Sequence, residues 1–494
     1  MTTEIRKIGI IQTFSLPGDF PNNLRSVVNA YRECLEHGAQ LVIAPSTCIC
    51  GIDPRDLAAR RSFLEQTKDC LDALSRELGS VPLIVGAYTP MLDDEKLSVG
   101  MVNDDDETEP KAPSEKKAIL CPYLIENNCV TELEDCGSFV LGSQRFYIDT
   151  TEMEILPPDD NDFLIRMSDE PWYATASDDF DLLHKWTASM GNITVICCRP
   201  VGTAGGNLYG GGSGVYAPDG RVLLRLPFFQ AAAQVVNLDC PKPVLSPPDN
   251  VDVLCSAITR GIRDTIRGHC LDGVCIPLDH PNSALLGAFC IEAIGASKVH
   301  GITFEGNEAL AGKLGISFHA LKLDKVQEAA VDAMGKEHAA ALRERLVTAL
   351  AMTHAESKGL FLCSPLSRTD IVLGNFCMYG LSGAHLAPLG NLYSIDLYLC
   401  SCILSDSHPD LFGSLVPPAD TTTDRIIHEL MDRNIAASTL LNPDRNLLFK
   451  ENEVRSIQRK ILLSAIKRTQ LPIVLNVTPK YERHSLPIVH RLND

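Results

Sequence analysis

The chain has 494 residues, 45% hydrophobic and 22% charged, with a formal net charge of −19. That length exceeds one ordinary core and points to two domains, and the negative charge disfavours nonspecific binding to nucleic acid or anionic membrane. No apolar run is long enough to span a membrane, and the start, MTTEIRKIGIIQTF, passes straight into a strand-like run, so a cytoplasmic protein with reduced cysteines is expected.

In chain order, Lys7 to Ile11 reads as a strand, Asn23 to His37 as an amphipathic helix ended by Gly38, and Leu41 to Ala44 as the next strand. Phe63 to Leu78 reads as a second helix and Leu83 to Ala87 as a third strand. Residues 92 to 117 are polar, acidic and proline-containing, the composition of a surface loop. Strand-like pieces resume at Phe139–Leu141, Thr194–Ile196 and Val222–Leu224. The proline-rich stretch CPKPVLSPPDN, from Cys240 to Asn250, predicts a boundary. It separates a domain over 1–240 from one over 252–494, with 241–251 as the linker. The 18 cysteines include no CxxC pairs recurring at zinc spacing, and no metal site is expected.

The second domain opens with GVCIPLDHPNSALLGAFCIEAIGASKVHGI, residues 273 to 302. Val274 to Ile276 predicts a strand, Ser283 to Gly295 a helix, and Val299 to Ile302 the next strand, the repeating unit of a parallel α/β sheet. In such units the loop before the helix commonly holds phosphate and carries glycines. Here it reads Leu278-Asp279-His280-Pro281-Asn282. His280 is expected to be a solvated loop histidine, and Ser283 the helix N-cap, with Asn282 as the competing cap.

Four stretches, in order, carry a resemblance. Residues 51–57 read GIDPRDL, 199–213 RPVGTAGGNLYGGGS, 374–398 GNFCMYGLSGAHLAPLGNLYSIDLY, and 470–491 QLPIVLNVTPKYERHSLPIVHR. Together they resemble the glutamine-dependent NAD(+) synthetases over nearly the whole chain. The resemblance implies an α/β protein: an N-terminal nitrilase-like α-β-β-α sandwich of the carbon-nitrogen hydrolase type, then a Rossmann-like ATP-pyrophosphatase domain with a parallel sheet. It also implies a homo-oligomer, or a hetero-oligomer with an active NAD synthetase.

Nitrilase-like glutaminases use a glutamate base, a lysine that helps hold the oxyanion and a cysteine nucleophile. On the resemblance, the base position here is Ser46, the lysine is kept as Lys117, and the nucleophile falls at Thr151, to within about one residue. A serine hydroxyl is no base near neutral pH, and no cysteine lies between Cys136 and Cys197. Glycines 205, 206 and 210 stand where the family has acidic residues, and they read as a hairpin turn.

The family's pyrophosphate loop reads Ser-Gly-Gly-x-Asp-Ser. Here Asp279, His280, Asn282 and Ser283 fall in that loop, with Leu278 and Pro281 at its other positions. Asp279 adds a negative charge where phosphate would lie. At an effective dielectric of about 20, two unit charges about 4 Å apart repel by roughly 4 kcal/mol, which corresponds to about a thousandfold in affinity. Pro281 has no N–H to donate. The family uses ATP and magnesium; with these positions changed, no cofactor is expected. The sequence therefore reads as a homologue of glutamine-dependent NAD(+) synthetase with both sites degenerate, acting as a scaffold or regulatory subunit in NAD biosynthesis. Its alternatives are a divergent but active glutamine-hydrolysing synthetase and a nucleotide-binding sensor without catalysis.

Overall fold

The computed structural model describes residues 4–90, 118–150, 156–158, 160–174, 176–242, 244, 248–303, 308–412, 418, 421–442 and 449–478. Lys117, Thr151 and the acidic stretch 92–117 lie outside the described residues. The chain forms two compact units. One holds Met1–Pro171, Ala176–Gly202 and Tyr209–Pro247; the other holds Trp172–Thr175, Thr203–Leu208 and Pro248–Asp494.

The first unit begins with β1 (Lys7–Gln12), α1 (Phe20–Glu36), β2 (Leu41–Ile43), α2 (Arg61–Glu77) and β3 (Leu83–Pro90). Next come β4 (Ala118–Glu126), β5 (Cys129–Glu132), β6 (Gly137–Leu141), β7 (Gln144–Asp149), β8 (Phe163–Met167), α3 (Ala176–Gly191) and β9 (Thr194–Cys198). The hairpin strands β10 (Val201–Ala204) and β11 (Asn207–Gly210), whose residues Thr203–Leu208 are grouped with the second unit, precede β12 (Gly214–Tyr216), β13 (Val222–Arg225) and β14 (Ala232–Asn237). Two six-stranded sheets result, in the orders β14-β1-β2-β3-β4-β5 and β13-β12-β9-β8-β7-β6.

Period-two alternation places each strand's side chains in two layers. Ile8, Ile10, Leu41, Ile43 and Ile84 face inward and meet Phe146, Ile148, Ile165 and Ile196 of the other sheet. Ile11, Val42, Leu83 and Val85 face outward and are covered by Val27, Tyr31, Leu71 and Leu74 of α1 and α2. On the second sheet Tyr147, Leu164 and Val195 pack against Ala188 of α3. The layers are therefore helix, sheet, sheet, helix. The first three strands run parallel because α1 and α2 return the chain across the same face.

The second unit starts with α4 (Asn250–Gly268), β15 (Gly273–Pro277), α5 (Ser283–Ile294), β16 (Val299–Thr303), α6 (Glu308–Leu314), β17 (Ser317–Ala320) and α7 (Asp324–Met334). It continues with α8 (Ala339–Ser357), β18 (Leu360–Leu362), α9 (Arg368–Leu373), α10 (Ser394–Leu404), α11 (Thr422–Ile427), α12 (Ala437–Leu440) and α13 (Glu451–Leu463). The sheet is fully parallel, in the order β17-β16-β15-β18. Its inner strands are mostly apolar, as strands covered on both faces tend to be: Val274, Cys275, Ile276, Val299 and Ile302 are fully buried, with His300 and Thr303 the polar exceptions on β16.

A buried polar network ties α9, α10 and the helical segment after α11. Asp432 is fully buried, pairs with Arg368, and accepts the Tyr393 hydroxyl at 2.6 Å. Burial pushes the Asp432 carboxyl up, but the His428 hydrogen bond and the Arg368 charge outweigh it, so the group sits below its ordinary value. Asp432 closes a π-helical turn, His428–Asp432.

All 18 cysteines are free thiols. Among the described residues no helix is long and apolar enough to cross a membrane.

Candidate functional site

In the first unit, Ser46 sits in the turn that leaves β2. It is fully buried, and its Oγ has no hydrogen-bond partner among the described residues. β3 presses against it through Gly86: a Cβ added there would lie 2.4 Å from the Ser46 carbonyl oxygen. The turn is closed by Cys48 N–H to Pro45 O at 3.2 Å and Gly51 N–H to Thr47 O at 2.9 Å. Gly51 has φ +96°, and a Cβ there would meet Pro17 at 2.2 Å, so glycine is required. Burial pushes the nearby Cys48 and Cys50 thiols up from their ordinary values, which disfavours the reactive thiolate form.

At the end of β7, Thr150 is fully engaged. Its N–H and Oγ1 donate to the two oxygens of Asp135, at 3.0 and 2.7 Å. The carboxylate of the preceding residue, Asp149, lies 3.6 Å from Nε of the buried Arg166. The Arg166 guanidinium also reaches His184 and Thr187 of α3. Burial, then the charges of Arg199 and Arg166, hold His184 well below the ordinary imidazole value. Asp135, Cys136 and Asp149 bring one ligand atom each within 4.8 Å of one another. Asp135 already caps the end of β7, which accounts for its placement. Gly205 and Gly206, at φ +55° and +88°, form the β10–β11 turn as expected, but Gly210 does not belong to it: it is the last residue of β11.

In the second unit, the strand, loop and helix fall where the sequence puts them. Leu278 is fully buried, its N–H donates to Ile302 O at 2.8 Å, and its side chain covers Gly301, where a Cβ would lie 2.7 Å from it. The Asp279 carboxylate accepts the Thr303 hydroxyl at 3.0 Å. The loop then satisfies its own donors. His280 N–H goes to Ser283 Oγ at 3.2 Å, Asn282 N–H to His280 Nδ1 at 3.2 Å, and Ser283 N–H to His280 O at 3.0 Å.

Two expectations are corrected here. His280 is not a solvated loop histidine: it is half-buried, and burial lowers its imidazole below the ordinary value against the opposing pull of Asp370 and Glu344. Ser283 is not the N-cap but the first residue of α5. Asn282 takes the cap position without a capping bond, and its amide donates to Pro365 O at 3.1 Å.

Sequence reasoning missed Glu344. It comes from α8, and its Oε1 accepts Cys377 N–H at 2.8 Å and Leu381 N–H at 3.4 Å, holding the loop that contains Tyr379 and Gly380. Arg345 and Lys467 clamp the same loop through the carbonyls of Met378, Gly374 and Phe376, at 2.9, 2.7 and 2.6 Å. No local pattern marks these residues, because their partners lie 33 to 93 positions away. Ser367 and Asp370 form a capping box at α9.

Residues 254–405 match the family model described as NAD synthase. Over the whole length the chain is 22% identical to a glutamine-dependent NAD(+) synthetase of Synechocystis sp., covering 96% of each. Among solved structures it is similar to a glutamine-dependent NAD(+) synthetase from Cytophaga hutchinsonii, with TM-score 0.79, 12% identity and 99% and 98% of the two chains covered. It is also similar to that of Acinetobacter baumannii in complex with ADP, with TM-score 0.71, 15% identity and 97% and 98% covered. The fold is thus a nitrilase-like domain followed by a Rossmann-like NAD synthetase domain.

Proposed function

We propose that this chain, a two-domain relative of the glutamine-dependent NAD(+) synthetases, is a non-catalytic homologue that serves NAD biosynthesis by assembly, as a scaffold or regulatory subunit. The observation that carries this reading is the loop before α5. The N–H groups of His280, Asn282 and Ser283 are spent on the loop's own atoms, and Leu278 fills the space over Gly301. A phosphate there would have to displace these bonds and lie beside Asp279. The buried Ser46 adds to the case, since it offers no base.

The surface supports assembly. On α3, Leu182, Trp186 and Met190 recur every four residues and are 69%, 50% and 61% exposed, a stripe suited to burial against a partner. The partner in this reading is a second copy of the chain or an active NAD synthetase.

The names of the relatives favour a second reading, a divergent but active ligase making NAD from nicotinate adenine dinucleotide, ATP and glutamine. It requires new roles for Lys117, Thr151 and residues 279 to 283. A third, a nucleotide sensor, needs phosphate contacts at the same loop. Purified protein given glutamine or ammonia, ATP, Mg²⁺ and nicotinate adenine dinucleotide separates the first two. The proposal expects no NAD and no glutamate; turnover above a Thr151→Ala control establishes the second reading. NAD formation from ammonia alone assigns activity to the second unit only.

A further inference from the structure

We propose that a cleft in the first unit, between α2 and strands β3 to β5, binds a small organic cation: an apolar or aromatic body carrying one ammonium or guanidinium group. In that unit α1 packs on β14 and β1, while α2 packs on β3 and on β5, the edge strand of the sheet. The cleft that opens beside α2 has a volume of about 610 Å³. Ordinary small-molecule sites occupy roughly 300–1,000 Å³. Neither Ser46 nor Thr150 lines it, so the inference rests neither on the Ser46 turn nor on the loop before α5.

The lining fixes the ligand class. Leu64 and Leu71 of α2, both buried, and the half-buried Val130 of β5 supply apolar surface, and Tyr88 and Tyr123 supply aromatic rings. Arg61 and Glu65 satisfy each other at 2.7 Å. That leaves Lys68 against two carboxylates, Asp72 and Glu132, neither of which has a cationic partner among the described residues. Glu132 stands opposite Tyr123 in the β4–β5 register and accepts its hydroxyl at 3.0 Å. This bond orients the carboxylate and leaves its second oxygen for a ligand. The surroundings are electronegative. Burial, then Glu132, push the Cys121 thiol up to about 12, and burial, then Asp169, Cys50 and Asp53, push the Tyr88 phenol up, with no lysine or arginine offsetting either. A cation at Glu132 would gain the carboxylate and the electron-rich ring faces together. An anion would meet two carboxylates. Lys68 is exposed, and its long stem lets the ammonium stay in water.

The test is ligand-observed NMR titration of the full chain with three probes on one skeleton: 3-phenylpropylamine, 3-phenylpropanol and 3-phenylpropionate. The proposal expects the amine to bind at least about tenfold more tightly than the alcohol, the worth of one charge-assisted hydrogen bond, and the carboxylate not to bind. Glu132→Gln should bring the amine down to the affinity of the alcohol and leave the alcohol unchanged. Val130→Trp, which fills the cleft, should abolish binding of both. Lys68→Ala should not weaken the amine, and Asp69→Asn, an exposed acid of α2 that does not line the cleft, should change nothing. The assignment is overturned if the folded wild type does not bind the amine, or if the carboxylate binds as well as the amine. Amine binding unchanged in Glu132→Gln or in Val130→Trp overturns it equally. Thermal melts of each variant separate loss of the site from loss of fold.

Discussion

Replacing Ser46 by glutamate puts back the side chain that a nitrilase-like base requires, and it separates an emptied pocket from an intact one. Ser46 is fully buried with an unpartnered Oγ among the described residues, in a turn pressed against Gly86. Without a cation beside it, the introduced carboxyl must stay protonated for the domain to fold. Holding it neutral at pH 7, against an ordinary value of about 4.3, costs roughly 2.7 × 1.36, or about 3.7 kcal/mol. At pH 5 the same calculation gives about 1 kcal/mol. A carboxyl raised in the folded state loses stability as pH rises above its unfolded value. The deficit of S46E against wild type should therefore grow by about 2.7 kcal/mol between pH 5 and pH 7. On a domain of this size the full cost of about 3.7 kcal/mol at pH 7 corresponds to a melting deficit of roughly 7–15 °C. Calorimetry or urea unfolding at the two pH values reads it directly. Ser46→Ala, which removes an unpartnered hydroxyl, should cost nothing and gain up to about 1 kcal/mol. If S46E matches wild type at pH 7 and its deficit does not grow with pH, a cation such as Lys117 is paired with it. The pocket is then intact, and the reasoning fails.

Other consequences follow from the same structure. Asp432→Asn strips the buried Arg368 of its partner and should destabilise the second unit by about 3 kcal/mol at pH 7. Because Asp432 is held below its ordinary value, that loss is present above about pH 4 and vanishes as pH falls through the folded value, which acid titration of the two proteins would reveal. Gly51→Ala forces a Cβ at positive φ onto Pro17 and should cost at least about 2 kcal/mol, read as an earlier urea midpoint for the first unit. Trp186→Asp on the exposed stripe should leave the monomer folded and reduce the assembly size measured by light scattering; an unchanged mass would remove α3 as the interface.

The frame of the molecule was legible because periodicity marks it. α1 and α2 lie within three residues of where apolar spacing puts them, and β15, α5 and β16 follow the GVCI, SALLGAFCI and VHGI runs. The interior of the second sheet was less so. Arg166 and Asp149 are charged residues in strands, and only the arrival of α3 with His184 explains their burial. In the loop before α5, the residue types told which phosphate contacts were gone, but not what replaced them. That His280 is half-buried, with Asp370 and Glu344 bearing on it, depends on segments far along the chain. Ser283 illustrates the limit. Its type suits a cap, yet the turn geometry gives the cap position to Asn282 and turns the serine hydroxyl to His280 N–H. Glu344 carried no motif, and its role is visible only once α8 lies beside the loop it holds.

The loop before α5 is the centre of the account, and calorimetric titration of the full chain with Mg·ATP tests it most directly. With its N–H groups engaged internally and Asp279 beside the phosphate position, the account predicts no saturable heat at millimolar nucleotide. Micromolar binding that is lost in Ser283→Ala would contradict it, because the loop would then still be holding phosphate.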